Sequence, residues 1–217
     1  MDKGIVYVGM DLGTFKTSVA SSTGLRDALY SAVGWPKDQI ARTLLGRAVV
    51  FGKDIVEHRL ALNIVRPFEK GVLKYNAATA TGLAADRVEK HKLAAKLLVE
   101  HAVAMTRPPK DATVYGVIGA PSRATAGNKK VVLEAARGAF DAALIVSEPF
   151  TIAYGMNRLS DTLVIDIGAG VPLLTTSTRS DPVPLKRRNT TSSASSSTVG
   201  PTTSEPTTPS NCTSARR

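Results

Sequence analysis

The chain has 217 residues, a hydrophobic fraction of 43% and a formal charge of +10, which provides enough apolar material for one ordinary domain. Its single cysteine, Cys212, excludes an intrachain disulfide, and no run of about 18 apolar residues occurs, so we expect a cytoplasmic protein without a transmembrane segment. The basic residues are scattered, aromatic residues are 5% of the chain, and no helix-turn-helix or zinc pattern occurs, so nucleic-acid binding is not expected.

The first elements of the chain predict a hairpin. Residues 4–10 predict a buried strand, Asp11–Thr14 a tight turn, and Phe15–Ser21 a second strand. Residues 28–34 predict a further strand, which ends at Gly34-Trp35-Pro36.

The middle of the chain predicts short elements followed by one long helix. Residues 47–51 predict a short strand closed by Gly52, residues 53–60 a helical turn, and Ile64–Val72 an extended crossing segment. Residues 84–105 predict the longest helix, because an apolar stripe follows a period of about 3.6 with Lys and Glu between its members. The stripe consists of Leu83, Val88, Leu93, Leu97, Leu98, Val103 and Met105.

The following elements alternate between strand and helix. Residues 113–119 predict an apolar strand, and Ser122 to Thr125 can cap a helix that runs to about Ala139. Three further elements are predicted: a strand at Leu144–Val146, a helix at Pro149–Tyr154 closed by Gly155, and a strand at Leu163–Ile167. This alternation predicts an α/β architecture, and the opening hairpin makes the sheet mixed.

The composition changes after Gly170. From Arg188 onward nearly every residue is Ser, Thr, Pro, Asn, Ala, Gly or Arg. Such a segment buries too little apolar surface to offset its ordering entropy. The sequence therefore predicts a folded domain over residues 1–170 and a disordered tail over 171–217.

Two acidic turns follow apolar strands and suggest phosphate chemistry. Asp11 with Gly13 ends the first strand, and Asp166 with Gly168 ends the last. A carboxylate at the end of a buried strand needs a cation, and magnesium takes one or two protein carboxylates together with phosphate oxygens. Either turn alone is more simply explained as a strand-ending turn, but the pair favours a metal–phosphate site.

The first turn also offers donors to a phosphate. The N–H groups of Gly13, Thr14 and Phe15 could form an anion-binding nest, and Lys16 could place a positive charge on the β-phosphate.

Glu148 is the third candidate. It lies between a strand end and a helix start, where a carboxylate could orient a water for γ-phosphate hydrolysis. Stabilisation of the helix dipole explains a Glu at this position equally well. Gly119-Ala120-Pro121, after the preceding strand, is either a phosphate-side loop or a simple strand exit, and we favour the exit.

Taken in order, the motifs of residues 4–170 resemble the N-terminal half of the actin/sugar-kinase/heat-shock-chaperone ATPase superfamily. The motifs are Asp11-Leu12-Gly13-Thr14, Gly119-Ala120-Pro121, Ser147-Glu148-Pro149-Phe150, Tyr154-Gly155 and Asp166-Ile167-Gly168-Ala169-Gly170. Within that superfamily the chain is most similar to bacterial actins, specifically those that organise magnetosome chains. This closer likeness lies in Val33-Gly34-Trp35-Pro36-Lys37-Asp38 and Leu44-Leu45-Gly46-Arg47.

The resemblance implies an RNase-H-like mixed sheet flanked by helices, with a small insert at roughly 30–80. It implies ATP and magnesium in a cleft between two such domains, with cytoplasmic, cytoskeletal filaments as the output. It assigns catalysis to Glu148 and Asp166 and the metal to Asp11 and Asp166. It assigns nucleotide contacts to the following residues: Asp11, Gly13, Thr14, Phe15, Lys16, Gly168, Ala169 and Gly170.

The chain departs from the family pattern after the second turn. Relatives continue with Thr-x-Asp on a hairpin strand, whereas this chain has Val171, Pro172 and Leu173, and proline lacks an N–H. By this resemblance, we also expect the chain to lack the family's second half-domain. We therefore expect a truncated or frameshifted reading after Gly170, with weak ATP binding and little hydrolysis.

The expected partners are further copies of the chain or a full-length actin-like paralogue, with indirect membrane association through magnetosome proteins. One alternative is a small-molecule kinase of the same superfamily. Another is a non-catalytic module that caps or co-assembles with a full-length actin-like filament.

Overall fold

The computed structural model of the chain describes residues 4–69, 72–74, 85–122, 124–166 and 173–176, with the backbone alone at 72, 166 and 173–176. The strands are β1 (Ile5–Leu12), β2 (Lys16–Ser21), β3 (Arg26–Tyr30), β4 (Val33–Pro36), β5 (Leu62–Val65), β6 (Phe68–Glu69), β7 (Val72–Leu73), β8 (Thr113–Ala120), β9 (Ala142–Ser147), β10 (Leu163–Asp166) and β11 (Leu173–Thr176). The helices are α1 (Gln39–Leu45), α2 (Lys53–Glu57), α3 (Ala85–Met105), α4 (Ala126–Ala136) and α5 (Glu148–Gly155), with a 3-10 turn at Arg59–Ala61.

A five-stranded mixed sheet forms the centre of the fold. Its strand order is β3-β2-β1-β8-β9. β1 pairs with β2 and β2 with β3 in antiparallel fashion, whereas β1 with β8 and β8 with β9 are parallel. The predicted mixed α/β sheet flanked by helices is therefore confirmed.

β1 is the middle strand of this sheet, and its side chains alternate strictly between buried and exposed. Val6, Val8, Met10 and Leu12 are buried on one face, while Ile5 and the residues between them are exposed on the other. This period of two is the pattern of a strand with one face on the core.

The long helix α3 covers the buried face of the sheet. It contacts β2, β3 and α4, and it confirms the helix predicted at 84–105 apart from residue 84, which lies outside the described residues. Its core face differs from the predicted stripe, because Leu93 is 48% exposed while Ala94, Ala95 and Ala102 are fully buried. Small alanines at these positions let the helix approach its neighbours closely.

The expected small insert corresponds to the short elements between β3 and α3. β4 pairs with β5, and Ala32, Val50, Ile55 and Leu62 form a separate small core. α1 was not predicted, although its sequence carries both helix signals. Asp38 accepts a hydrogen bond from the amide of Ala41, and Gly46 ends the helix with a φ of 61°, which glycine adopts readily.

Two predicted strands near the insert are wrong. The strand predicted at 28–34 is two strands of different sheets, because the amide of Ala32 donates to the carbonyl of Tyr30 and closes a tight turn at Ser31. In place of the strand predicted at 47–51, only an isolated bridge joins Val50 to Gly34.

The remaining elements refine the predicted boundaries. α4 begins after the cap Thr125, whose side chain accepts from Asn128, and it ends at Ala136, three residues before the predicted end. β9 is longer than predicted at both ends, and α5 begins at Glu148 and includes Gly155.

One further strand pair includes residues beyond the predicted domain end at Gly170. β10 pairs with β11 in antiparallel fashion in a two-stranded sheet of its own, and β11 lies in the segment predicted to be disordered. The prediction is thus wrong at 173–176, where the leucines and β-branched threonines favour a strand. The rest of the predicted tail lies outside the described residues.

None of the helices in the described ranges is both long enough and apolar enough to cross a membrane.

Candidate phosphate-binding edge of the sheet

The site residues lie where parallel strands of the central sheet end together. In the register of β1 and β8, Asp11 is opposite Gly119, and in that of β8 and β9, Gly119 is opposite Val146. Glu148 follows directly as the first residue of α5. The carboxyl ends of parallel strands are where open α/β sheets place their ligands.

A cavity of about 720 Å³ opens at this edge. Three of the predicted site residues line it: Asp11, Lys16 and Glu148. The structure therefore brings together the first acidic turn and the carboxylate that starts α5. The other charged or hydroxyl-bearing lining residues are Ser18, Arg26, Asp27 and Thr151.

Gly119 lets Glu148 lie against β8. A Cβ placed on Gly119 would be only 3.2 Å from Cγ of Glu148, which is tighter than most such contacts. The hydroxyl of Thr151 donates to the carbonyl of Glu148 over 2.7 Å within the first turn of α5. Gly119 is thus part of the cavity wall as well as the strand exit that the sequence favoured.

The turn between β1 and β2 is closed tightly. A Cβ on Gly13 would be 2.6 Å from the carbonyl oxygen of Lys16, a separation that real Cβ atoms do not show. Phe15 turns its ring edge-on to Tyr30, with ring centroids 5.2 Å apart. Gly13, Thr14 and Phe15 connect Asp11 to Lys16 without lining the cavity themselves.

A buried hydroxyl pair supports the turn, and sequence reasoning missed it. Ser31 donates from Oγ to the carbonyl of Gly13 over 2.6 Å, and its Oγ lies 2.9 Å from Oγ1 of Thr17. Isolated serines and threonines carry no spacing signal, so no sequence pattern distinguishes these two residues.

The charges that line the cavity are mixed. Asp11, Asp27 and Glu148 contribute carboxylates, and Lys16 and Arg26 contribute cations. Within the described part of the chain, no three His, Cys, Asp or Glu side chains cluster closely enough to hold a metal ion by themselves. One carboxylate with phosphate oxygens and water is nevertheless a usual magnesium environment, so Asp11 fits that role.

The second acidic turn cannot be compared with the first. The backbone of Asp166 ends β10, and its side chain lies outside the described residues. Gly168, Ala169 and Gly170 also lie outside them. Their predicted roles therefore stay predictions.

Comparison with known proteins places this geometry in context. No family model matches the chain. The actin-like protein MamK of Paramagnetospirillum magneticum strain AMB-1 is 39% identical over 168 residues, which are 77% of this chain and 45% of MamK. The chain is a homologue of the MamK actin-like proteins. It spans about half the length of the curated relatives it matches.

Two MamK structures agree with the fold. A MamK double helical filament superposes with a TM-score of 0.72 at 36% identity, over 83% of this chain and 52% of that one. A non-polymerising MamK mutant bound to AMPPNP superposes with a TM-score of 0.68 at 37% identity, over 84% and 53% respectively. The predicted actin fold is thus confirmed for about half of a MamK chain.

Proposed function

We propose that the chain is an actin-like protein that binds the phosphates of Mg-ATP at the edge formed by Asp11, Lys16 and Glu148. The observation that carries this proposal is the convergence of these three side chains around one cavity at the end of parallel strands. The AMPPNP-bound MamK relative supports it, because that protein is similar to this chain at 37% identity.

Each of the three side chains suits one part of the task. Lys16 would hold a phosphate oxygen by charge, and Asp11 would bind the metal or its waters. Glu148, fixed against Gly119, would orient a water near the terminal phosphate. Magnesium, when bound, would neutralise charge on the phosphates. In the second acidic turn, Asp166 would bind the metal or its waters, and residues 168–170 would contact the nucleotide.

We expect weak nucleotide binding by the 217-residue chain. Among the residues that the structure describes, those that line the cavity come from β1–β3, β8 and α5, that is, from one sheet and one helix. Titration calorimetry with Mg-ATP should give a dissociation constant weaker than micromolar, and phosphate release should be slow. A micromolar or tighter constant would contradict this expectation.

The assignment of Lys16 has a matched control. Lys16→Ala should weaken Mg-ATP binding by roughly 10-fold to 150-fold, since a charge-assisted hydrogen bond contributes roughly 1.5–3 kcal/mol. Lys53→Ala removes the same charge from an exposed position on α2 and should leave binding unchanged. Equal effects of the two substitutions would argue against the site.

Co-assembly with a full-length actin-like paralogue is a second candidate function. The insert exposes large apolar side chains, with Ile40 80%, Leu44 73% and Leu60 83% exposed. Exposed apolar clusters of this kind are typical of protein–protein contacts. The filament structure of the similar MamK protein supports an assembling partner.

Co-sedimentation tests this second candidate. The chain should pellet with a polymerised MamK relative, and Ile40→Ser with Leu44→Ser should reduce the pelleted fraction. Leu93→Ser changes an exposed leucine on α3 and serves as the control. Retention of the double variant in the pellet would contradict the proposed surface.

We further propose a cytoplasmic, cytoskeletal location and a role in positioning magnetosomes, on the strength of the similarity to MamK. A fluorescent fusion in a magnetosome-forming cell should then form linear structures along the magnetosome chain. Diffuse fluorescence at native expression would speak against this role.

A further inference from the structure

We propose that Ser31 is the positioning residue of the β1–β2 turn and fixes the direction of the turn's amide groups for phosphate binding. The inference rests on the proposed function for its consequence in nucleotide binding. Its structural basis is independent of that function, because it comes from three hydrogen bonds within the described part of the chain.

Two of the three hydrogen bonds form a directed chain through the hydroxyl of Ser31, and the third comes from its backbone amide. The Oγ–H of Ser31 donates to the carbonyl of Gly13 over 2.6 Å, since a carbonyl oxygen can only accept. The single hydroxyl hydrogen of Ser31 is then used, so Thr17 must be the donor in the 2.9 Å contact between the two hydroxyls. The amide of Ser31 also donates to the carbonyl of Phe15 over 2.9 Å.

Ser31 therefore binds two carbonyls of the turn, and this sets two peptide planes. Among the described residues no peptide bond is cis. In a planar trans peptide the N–H points opposite to the preceding C=O. With the carbonyls of Gly13 and Phe15 directed at Ser31, the N–H groups of Thr14 and Lys16 point to the opposite side of the turn.

The hydroxyl chain is well placed to hold this orientation. Ser31 is 1% exposed and Thr17 is fully buried, so water does not readily replace either hydroxyl. Leaving a buried hydrogen-bonding group without its partner is costly. The close approach at Gly13 leaves the turn little room to reorient without opening.

Ser31 follows the last residue of β3 and belongs to no strand. The chain bends between β3 and β4 at this residue, where the amide of Ala32 donates to the carbonyl of Tyr30. The bend ends the pairing of β3 and turns the chain into the insert. Ser31 is thus held from two sides, by the central sheet and by the start of the insert.

Four variants test the proposal. Ser31→Ala removes both hydroxyl contacts, Thr17→Val removes only the outer one, and Thr17→Ser keeps the hydroxyl as a conservative rescue. Thr106→Val is the matched control, because Thr106 is a buried hydroxyl that donates to the carbonyl of Val103 at the end of α3, on another element.

Amide hydrogen exchange without nucleotide is the first measurement. Exchange at the amides of residues 13–16 should be about tenfold faster in Ser31→Ala, because loss of a net hydrogen bond of roughly 1–1.5 kcal/mol changes an equilibrium by that factor. Thr17→Val should be intermediate, and Thr17→Ser should match the wild type. If Thr106→Val accelerates these amides as much as Ser31→Ala does, the proposal is wrong.

Mg-ATP titration followed by NMR is the second measurement. Ser31→Ala should weaken binding about tenfold while Thr106→Val does not, even at equal thermal stability. Unchanged affinity in Ser31→Ala would overturn the positioning role. If the wild type shows no binding at all, the proposed nucleotide function fails, and the exchange measurement alone decides whether Ser31 orients the turn.

Discussion

Replacing Gly13 with alanine should open the turn that joins Asp11 to Lys16. The added Cβ would lie 2.6 Å from the carbonyl oxygen of Lys16, whereas ordinary contact begins at 3.4 Å, so the backbone must separate by about 0.8 Å. The clashing atom belongs to the backbone and cannot rotate away. Gly13 does not have a positive φ, so the cost is steric and does not come from the backbone conformation.

Gly13→Ala should lower the free energy of unfolding by about 1–3 kcal/mol, the usual range for an overpacked site. Urea denaturation of Gly13→Ala measures this cost, with Gly9→Ala in the adjoining strand β1 as the control. A Cβ on Gly9 would meet nothing nearer than the carbonyl oxygen of Ala20 at 4.0 Å, so Gly9→Ala should be close to neutral. A Gly13→Ala variant within about 0.5 kcal/mol of Gly9→Ala would refute the reasoning.

Three further predictions concern packing and protonation. Leu98→Ala should cost about 2–5 kcal/mol in urea denaturation because Leu98 is fully buried on α3, whereas Leu93→Ala, half exposed on the same helix, should cost under about 1 kcal/mol. Gly116→Ala would place a Cβ 2.8 Å from the ring of Phe140, so it should lower the free energy of unfolding. Adding Phe140→Leu should recover part of that loss, and strictly additive effects of the two substitutions would contradict the contact. Burial lowers the pKa of His101 from its ordinary 6.5, so the unfolded chain binds more protons just below that pH, and the free energy of unfolding should fall as the pH drops below 6.5. His101→Phe should remove this part of the pH dependence, and an unaltered profile would exclude His101 as its source.

The central sheet could be predicted from the sequence because its signals are local. The apolar runs of β1 and β8 indicate strands without knowledge of their neighbours. The alternating burial of the β1 side chains, in contrast, is visible only in the structure. The long helix α3 was equally clear from its length. Its core face was not, because alanines fit a helical core face as well as a polar one, and much of the buried face is alanine.

The insert was harder to predict because its elements are too short for periodicity. The seven residues of α1 give less than two full turns, so the caps Asp38 and Gly46 were its main signal. The break at Ser31 depends on hydrogen bonds to a turn some 18 residues earlier in the chain, which no local pattern reports.

The candidate site combines residues with local sequence signals and residues without them. Asp11 and Glu148 stand at strand ends, where turn chemistry is visible in sequence. The support from Gly119 depends on the register of β8 against β9, and that of Ser31 on a contact across the hairpin. Both contacts are tertiary, so only the structure could reveal them.

The most direct test of the central claim is an amide NMR titration of the labelled chain with Mg-AMPPNP into the millimolar range. We predict saturable shifts at residues 11–16, at Gly119 and at Glu148, with smaller shifts in Lys16→Ala. The groove between α3 and α4, lined by Leu93 and Val131, should stay unaffected. Saturable shifts confined to that groove, or none at the edge formed by Asp11, Lys16 and Glu148, would contradict the account.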